Sequence, residues 1–361
     1  MKRISILTTA LTVMLLIVSC KEYDVKMLTI VNSDGTCRRE VSYSNQMTKE
    51  TREKLWNNNV KWSLPLPECL SADSMHASHT EINADTVTTT FIQIFDSAEE
   101  MSSHTPLLMN GVPLKSEAHL KKQFRWFYTD FTFSETFFSL KDSFMLPTTP
   151  YADEAAIKYW FTGEPDLAAG LSGAEAAQMI EDIEPKITRW LNDNIYKHLF
   201  NYIISNYDAI ENPPVTKDEF INMYDSFAAH MSNQNYDAPE TIYNYNNLIR
   251  DFFNSTAYDI FFDDKTQYGK ELEKQLTERM NIFLLKVEYG LQMPGEIISA
   301  GEGTLDNNGT VIYALTGERL IPDDYTISAV SRERHAWAYV ISIIILLTAA
   351  ASLIKMRKQR K

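Results

Sequence analysis

The sequence predicts an α+β fold: an antiparallel β-sheet domain formed from both ends of the main body, an inserted all-helical subdomain, and one C-terminal transmembrane helix. Three observations lead to this prediction. Short segments rich in β-branched residues lie at both ends of the body. Apolar residues recur at helical spacing in its middle. A long stretch without charged residues follows the last predicted strand.

These patterns divide the 361-residue chain into consecutive parts. Its content of 44% hydrophobic and 23% charged residues is typical of a folded protein rather than a disordered one. The predicted parts are a signal peptide at 1–19, a sheet domain at 20–150 and 291–334, a helical insertion at 151–290, a transmembrane helix at 336–354 and a basic tail at 355–361.

The N-terminal segment predicts a lipid anchor. Lys2 and Arg3 precede an apolar stretch, and residues 17–20 read Ile-Val-Ser-Cys. This resembles the lipobox of bacterial lipoproteins, which implies acylation of Cys20 and removal of the segment before it. The Lys-Glu-Tyr-Asp run that follows resembles the charged surface-export signals of Bacteroidetes lipoproteins. The alternative is an uncleaved anchor, although the apolar stretch is short for a spanning helix.

The C-terminal segment predicts membrane topology. Residues 336–354 contain no charged side chain, and 19 residues in a helix extend about 28 Å, close to the hydrocarbon thickness of a bilayer. Trp337 and Tyr339 precede this stretch's centre, and five cations follow it. The positive-inside bias puts the tail in the cytoplasm and the body on the extracytoplasmic side of the inner membrane. The alternative is a buried core helix.

The charge of the body excludes some partners. Between Cys20 and the apolar helix, 27 basic residues face 48 acidic ones, a net charge of −21. Nucleic acids and anionic headgroups should repel such a body. We therefore expect no nucleic-acid partner, and a membrane attachment through the lipid and the helix. The expected partners are an envelope lipid or a membrane protein.

Strand signals predict the sheet domain, together with a short helix at 49–56. An Asp34-Gly35 turn joins the first two strands, because this dipeptide tolerates positive φ. The predicted strands are 23–31, 36–43, 60–64, 86–95, 124–133, 296–300, 311–315 and 325–331.

The helical insertion is predicted from caps and periodicity. Ser172 with Glu175, and Thr216 with Glu219, form capping boxes. Pro185 should kink or divide the first helix. The last helix of the block is expected to run over residues 272–287 and to stop near Gly290.

The C-terminal strands resemble a known family. Residues 294–300 read Pro-Gly-Glu-Ile-Ile-Ser-Ala, Asn308-Gly309 marks a turn before a strand centred on Tyr313, and a final strand precedes the membrane helix. This resembles the C-terminal half of LppM-like bacterial lipoprotein domains, although Tyr313 stands where Trp is usual. The resemblance implies an α+β lipoprotein module that handles envelope lipids, and it transfers no catalytic residues.

The candidate disulfide, nucleophilic, metal-binding and acid–base residues each allow more than one interpretation. Cys37 and Cys69 are a candidate disulfide or two separate thiols. Ser172 is a nucleophile candidate better explained as a helix cap. No cofactor or metal site is expected, since the His76–His79 segment resembles an exposed polar loop. Four carboxylates either serve acid–base hydrolysis or form a solvated helix start: Asp259, Asp263, Asp264 and Glu271.

The predicted strand 124–133 is the most aromatic in the chain. Alternation puts Phe127, Phe131 and Phe133 on one face, and Trp126 and Tyr128 on the other. The second face is either further core or an apolar groove for a ligand such as an acyl chain. Because no catalytic motif occurs, the expected function is a noncatalytic envelope binding or assembly factor. The alternative is a membrane-tethered hydrolase that uses carboxylates of the helical block.

Overall fold

A computed structural model describes residues 23–46, 66–71, 77–83, 86–232 and 241–359. The predicted lipidation site Cys20, the signal segment, the predicted helix at 49–56, the predicted strand at 60–64, His76 and the last two basic residues of the tail lie outside the described residues. The α+β class is confirmed, and the larger sheet is mixed rather than purely antiparallel. The described chain forms two compact units.

The sheet unit comprises Tyr23–Phe138, Leu285–Thr316 and Asp324–Lys361. Its elements are β1 (Asp24–Val31), β2 (Cys37–Gln46), β3 (Ala77–Asn83), β4 (Thr86–Phe95), α1 (Ala98–Ser103), β5 (Leu108–Met109), β6 (Val112–Pro113), β7 (Ser116–Phe124), β8 (Tyr128–Phe137), β9 (Lys286–Gln292), β10 (Glu296–Ser299), β11 (Thr304–Leu305), β12 (Val311–Thr316), β13 (Tyr325–Arg334) and α8 (Ala336–Gln359).

Strands from before and after the helices share the same sheets. A seven-stranded sheet has the order β11-β12-β9-β1-β2-β4-β3, and a four-stranded antiparallel sheet has the order β10-β13-β8-β7. β1 pairs antiparallel with β2 and parallel with β9, which makes the larger sheet mixed. The β1–β2 turn lies where Asp34-Gly35 predicts it, with Gly35 at φ +105°.

The predicted strand 124–133 is wrong, because the chain turns within it. β7 ends at Phe124, β8 begins at Tyr128, and the two pair antiparallel as a hairpin. The turn at 125–127 reads Arg-Trp-Phe and contains no Gly, Pro or Asn. Two backbone hydrogen bonds stabilise it, from Arg125 N to Tyr128 O at 2.7 Å and from His335 N to Phe127 O at 2.8 Å. Tertiary contacts therefore set this turn, rather than local turn chemistry.

The predicted end of the last helix of the insertion is also wrong. That helix ends at Met280, and residues 286–292 form β9, beside β1. Val287 fits helical spacing from Phe283, which explains the misassignment. It also alternates with Tyr289 and Leu291, and all three are buried in the sheet unit. The His76–His79 segment, expected to be an exposed polar loop, likewise enters an edge strand, since β3 begins at Ala77.

The helical unit comprises Ser139–Leu284 and Gly317–Asp323. Both predicted capping boxes are confirmed, since Ser172 and Thr216 each cap a helix and each box carries its reciprocal glutamate contact. Pro185 lies inside one helix and does not divide it. The helices are α2 (Glu154–Thr162), α3 (Gly173–Ser205), α4 (Lys217–Asn222), α5 (Tyr224–Ser232), α6 (Thr241–Phe253) and α7 (Gln267–Met280).

The core of the helical unit is aromatic. Phe220 of α4 is completely buried and stacks on Phe200 of α3, with ring centroids 4.6 Å apart. It also contacts the rings of Phe253 and Tyr258 at 5.4 and 5.3 Å. Ring pairs at these separations add to the free energy gained by burying their area.

The core of the sheet unit contains a buried ion pair between its two sheets. Arg39 of β2 donates from Nη2 to Glu135 Oε2 of β8 at 2.5 Å. The two side chains are 2% and 0% exposed. Glu135 also accepts hydrogen bonds from Tyr289 and Ser116, at 2.6 and 2.9 Å. Thr29 of β1 accepts a hydrogen bond from Arg39 at 3.1 Å. Because Tyr289 belongs to β9 and Ser116 to β7, three strands besides β2 and β8 contribute to this network.

The last strand of the sheet unit leads directly into an apolar helix. β13 ends at Arg334 and α8 begins at Ala336. Within α8, Ala336–Met356 is long and apolar enough to cross a membrane, with a mean hydropathy of 2.3. Only 6% of its most apolar 18-residue stretch is buried. A helix that is apolar all round and exposed in an isolated chain is typical of a membrane span.

Candidate functional sites

A cleft of about 470 Å³ opens between α3 and α7 of the helical unit. This volume lies within the usual range of small-molecule sites. The side chains of its lining are mostly amides, hydroxyls and aromatic rings, with one carboxylate and one guanidinium. They are Met145, His198, Asn201, Tyr202, Ser205, Asn206, Gln267, Tyr268, Glu271, Gln275 and Arg279.

The cleft is lined by two stripes of polar residues, one on α3 and one on α7. On α3, His198, Asn201 and Ser205 are spaced three or four residues apart and so share one face. On α7, Gln267 and Glu271 begin a similar stripe that continues through Gln275 and Arg279. Both helices bury apolar residues on their other faces. This site was not predicted from the sequence, although the polar residues spaced three or four apart on both helices are a signal for it.

His198 is the most unusual residue of the cleft wall. It is 5% exposed, and neither ring nitrogen has a hydrogen-bond partner among the described residues. Burial, together with the smaller effect of the nearby Arg279 charge, lowers the pKa of His198 to about 4. The imidazole is therefore neutral at neutral pH. A buried polar group without a partner costs about 1–3 kcal/mol.

The charged groups of the cleft are already partly engaged. Glu271 accepts a hydrogen bond from Gln275 at 2.8 Å. Arg279 donates from Nη1 to the Ser143 carbonyl at 2.5 Å. One acid and one base balance each other in the lining, so the cleft carries no strong net charge. Its remaining polar groups are neutral donors and acceptors.

The four carboxylates considered for hydrolysis do not come together. Asp259 forms a two-pronged ion pair with Arg250, at 2.6 and 2.5 Å. Asp263 and Asp264 are exposed, and Asp263 accepts from the backbone of Lys265 at 2.9 Å. Glu271 is the one of the four in the cleft lining. The acid–base geometry of a glycosidase needs two carboxyl groups across one cleft.

The predicted groove residues Trp126 and Tyr128 lie at the end of the β7–β8 hairpin. Trp126 belongs to the turn, and its Nε1 donates to Ser342 Oγ of α8 at 2.9 Å. Tyr128 begins β8, and the guanidinium of Arg332 lies 3.9 Å from its ring centre. Arg332 also forms an ion pair with Asp130 at 2.7 Å.

An aromatic cluster joins this hairpin to the start of α8. Trp126 contacts Trp337 edge to face at 5.4 Å, and Phe127 lies 4.9 Å from Tyr339. His335 stacks on Phe124 at 5.1 Å and shares a hydrogen bond with Thr129 at 2.9 Å. The hairpin and the first two turns of α8 thus pack together through their rings.

The remaining candidate residues are two cysteines, one serine and the possible metal ligands. Cys37 and Cys69 are free thiols, the first buried and the second half-buried. Burial raises the pKa of Cys37 to about 11, so this thiol is not nucleophilic at neutral pH. The Ser172 hydroxyl accepts from the Glu175 amide as a helix cap. Within the described residues, no group of three or more His, Cys, Asp or Glu side chains is placed to hold a metal.

Compared with known protein families, curated proteins and solved structures, the chain shows no significant match to any of them.

Proposed function

We propose that the protein is a noncatalytic envelope factor, anchored in the inner membrane by a lipid on Cys20 and by α8, whose helical unit binds a neutral glycan fragment. The observation that carries this proposal is the polar cleft between α3 and α7. A cavity of this size with amide and hydroxyl lining favours a ligand with many hydroxyl or acetamido groups.

The ligand class follows from the chemistry of the lining. Asn201, Asn206 and Gln267 each offer both a donor and an acceptor, which matches sugar hydroxyls and acetamido groups. The half-buried ring of Tyr268 lines the cleft and offers an apolar face for the carbon side of a sugar ring. An acyl chain would leave these amides without partners, and a strongly charged ligand would meet opposing charges on Glu271 and Arg279.

The membrane placement rests on α8 and on the sequence at both ends. The helix length fits a bilayer, and the basic residues after Ile354 favour a cytoplasmic tail with an extracytoplasmic body. The resemblance to LppM-like domains belongs to the same proposal, and it is consistent with the order in which β10, β12 and β13 precede α8. The net charge of the body favours attachment by hydrophobic insertion.

The glycan proposal is tested with two disaccharides on the full-length protein in mild detergent. N,N′-diacetylchitobiose carries acetamido groups, and cellobiose lacks them. Titration calorimetry should detect the first and give at least tenfold weaker binding for the second. Asn201→Ala should weaken binding about tenfold, the loss expected for about 1.4 kcal/mol. Gln178→Ala is the matched control, because Gln178 lies on α3 outside the cleft lining.

Two results would contradict the proposal. If chitobiose does not bind, or binds equally to the Asn201→Ala variant, the cleft is not a glycan site. If mass spectrometry detects chitobiose cleavage that Glu271→Gln abolishes, the protein is a hydrolase rather than a binding factor. Protease protection of the C-terminal lysines in intact spheroplasts tests the orientation separately.

A further inference from the structure

We infer that the end of the β7–β8 hairpin, residues 124–127, is an additional membrane contact that inserts its rings into the headgroup and upper acyl region of the leaflet that α8 enters. The inference rests on the proposed membrane span of α8. Its partner is the lipid bilayer itself. We name this segment the hairpin tip.

The exposure of the hairpin tip requires an explanation. Phe124, Trp126 and Phe127 are 63%, 46% and 38% exposed, and they are consecutive apart from Arg125. Large apolar side chains grouped on one protrusion usually mark an interaction surface. The tip lies at the end of the sheet unit where β13 leads into α8, because Tyr128 pairs with Arg334.

The depth of the tip follows from its contact with α8. Ser342, which accepts the hydrogen bond from Trp126, is six residues beyond Ala336. At 1.5 Å per residue, the Trp126 indole therefore lies about 9 Å along the helix axis from its start. Trp337 and Tyr339 occupy the first turns between these points. If α8 crosses the membrane, the tip lies beside its first turns and reaches the level of the interface.

The residue types of the tip suit that depth. Trp is favoured at the membrane interface, where its ring is in an apolar region and its N–H is hydrogen-bonded. Arg125 is exposed between Phe124 and Trp126 and is long enough to reach lipid phosphates. A second contact beside the helix would hold the sheet unit at a fixed orientation to the bilayer, which a single helix after a one-residue linker does not ensure.

Quenching of tryptophan fluorescence tests this inference. The full-length protein is reconstituted into phosphatidylethanolamine–phosphatidylglycerol vesicles whose lipids carry bromine near the top of the acyl chains. Trp126→Phe should remove about half of the bromine-quenched emission, because Trp126 and Trp337 are the tryptophans beside α8 within the described part of the chain. Trp337→Phe should remove a similar share. Trp160→Phe, in the helical unit, is the control for the loss of one tryptophan outside the hairpin tip and α8.

The variants separate the failure of this inference from that of the membrane span. If Trp337→Phe lowers quenching and Trp126→Phe does not, α8 enters the bilayer and the hairpin tip is outside it. If neither substitution lowers quenching, the membrane span itself is wrong. A tip that binds a membrane protein instead of lipid would be unquenched in these vesicles, which would also overturn the inference.

Discussion

The cores of the two units contain different kinds of buried interaction. The sheet unit buries an ion pair, Arg39 with Glu135, surrounded by hydroxyl groups. The helical unit buries a stack of aromatic rings centred on Phe220. Buried charges demand specific partners in a specific geometry, whereas stacked rings tolerate small adjustments. We therefore expect the sheet unit to respond to single substitutions in an all-or-none way and the helical unit in a graded way.

The buried ion pair should show the largest effect. Glu135→Leu leaves the Arg39 guanidinium buried without its carboxylate, and we expect a loss of about 3–5 kcal/mol in the free energy of unfolding. The double variant Arg39→Met with Glu135→Leu removes both charges and should recover most of this loss. Pulse proteolysis in detergent with increasing urea measures both. A double variant as unstable as the single one would show that the pair itself stabilises the unit.

The aromatic core should show the next largest effect. Phe220→Ala removes a completely buried ring, and we expect a loss of about 3 kcal/mol, at the lower end for this change because the surrounding rings can move into the space. Phe220→Leu should lose less than half as much, which would demonstrate the graded response. The same proteolysis assay on the helical unit applies. Equal losses for Ala and Leu would contradict the expected tolerance of this core.

The pH dependence of the helical unit should show the smallest effect. Because the pKa of His198 is lowered to about 4 in the folded chain, the unfolded chain binds this proton first as pH falls below about 6.5. His198 therefore contributes stability that is present at pH 7 and is lost as pH falls towards 4. Between pH 7 and 5.5 the loss should be about 1 kcal/mol.

The variant His198→Gln isolates this contribution. It removes the titrating ring and should show a correspondingly flatter dependence of unfolding free energy on pH. Gln178→Ala retains the histidine and should follow the unmodified protein. An unchanged pH dependence in His198→Gln would mean that the folded helical unit does not lower the pKa of this imidazole.

Local sequence signals identified the elements whose formation depends on neighbouring residues. The capping boxes at Ser172 and Thr216 were confirmed because a cap uses atoms three residues apart. The strand Thr86–Phe95 was confirmed with both boundaries, since its β-branched residues favour extended backbone. The break at 125–127 was missed because its turn depends on contacts with His335, which lies about two hundred residues later.

The two candidate sites also differ in how far local sequence signals indicated their residues. The groove residues Trp126 and Tyr128 were selected from an aromatic run, but their surroundings include α8 and Arg332, which alternation within one strand does not indicate. The cleft residues were missed, because Asn201 and Gln275 look like ordinary exposed amides until α3 and α7 are placed side by side.

The sequence by itself determined the α+β class, the caps, six of the thirteen described strands and the apolar C-terminal helix, because these depend on periodicity and composition within short segments. Only the tertiary structure decided that β9 lies parallel to β1, that Arg39 meets Glu135, and that two polar helix faces enclose a cleft. These features join residues far apart in the chain, and their free energy arises from burial and pairing that no local pattern records.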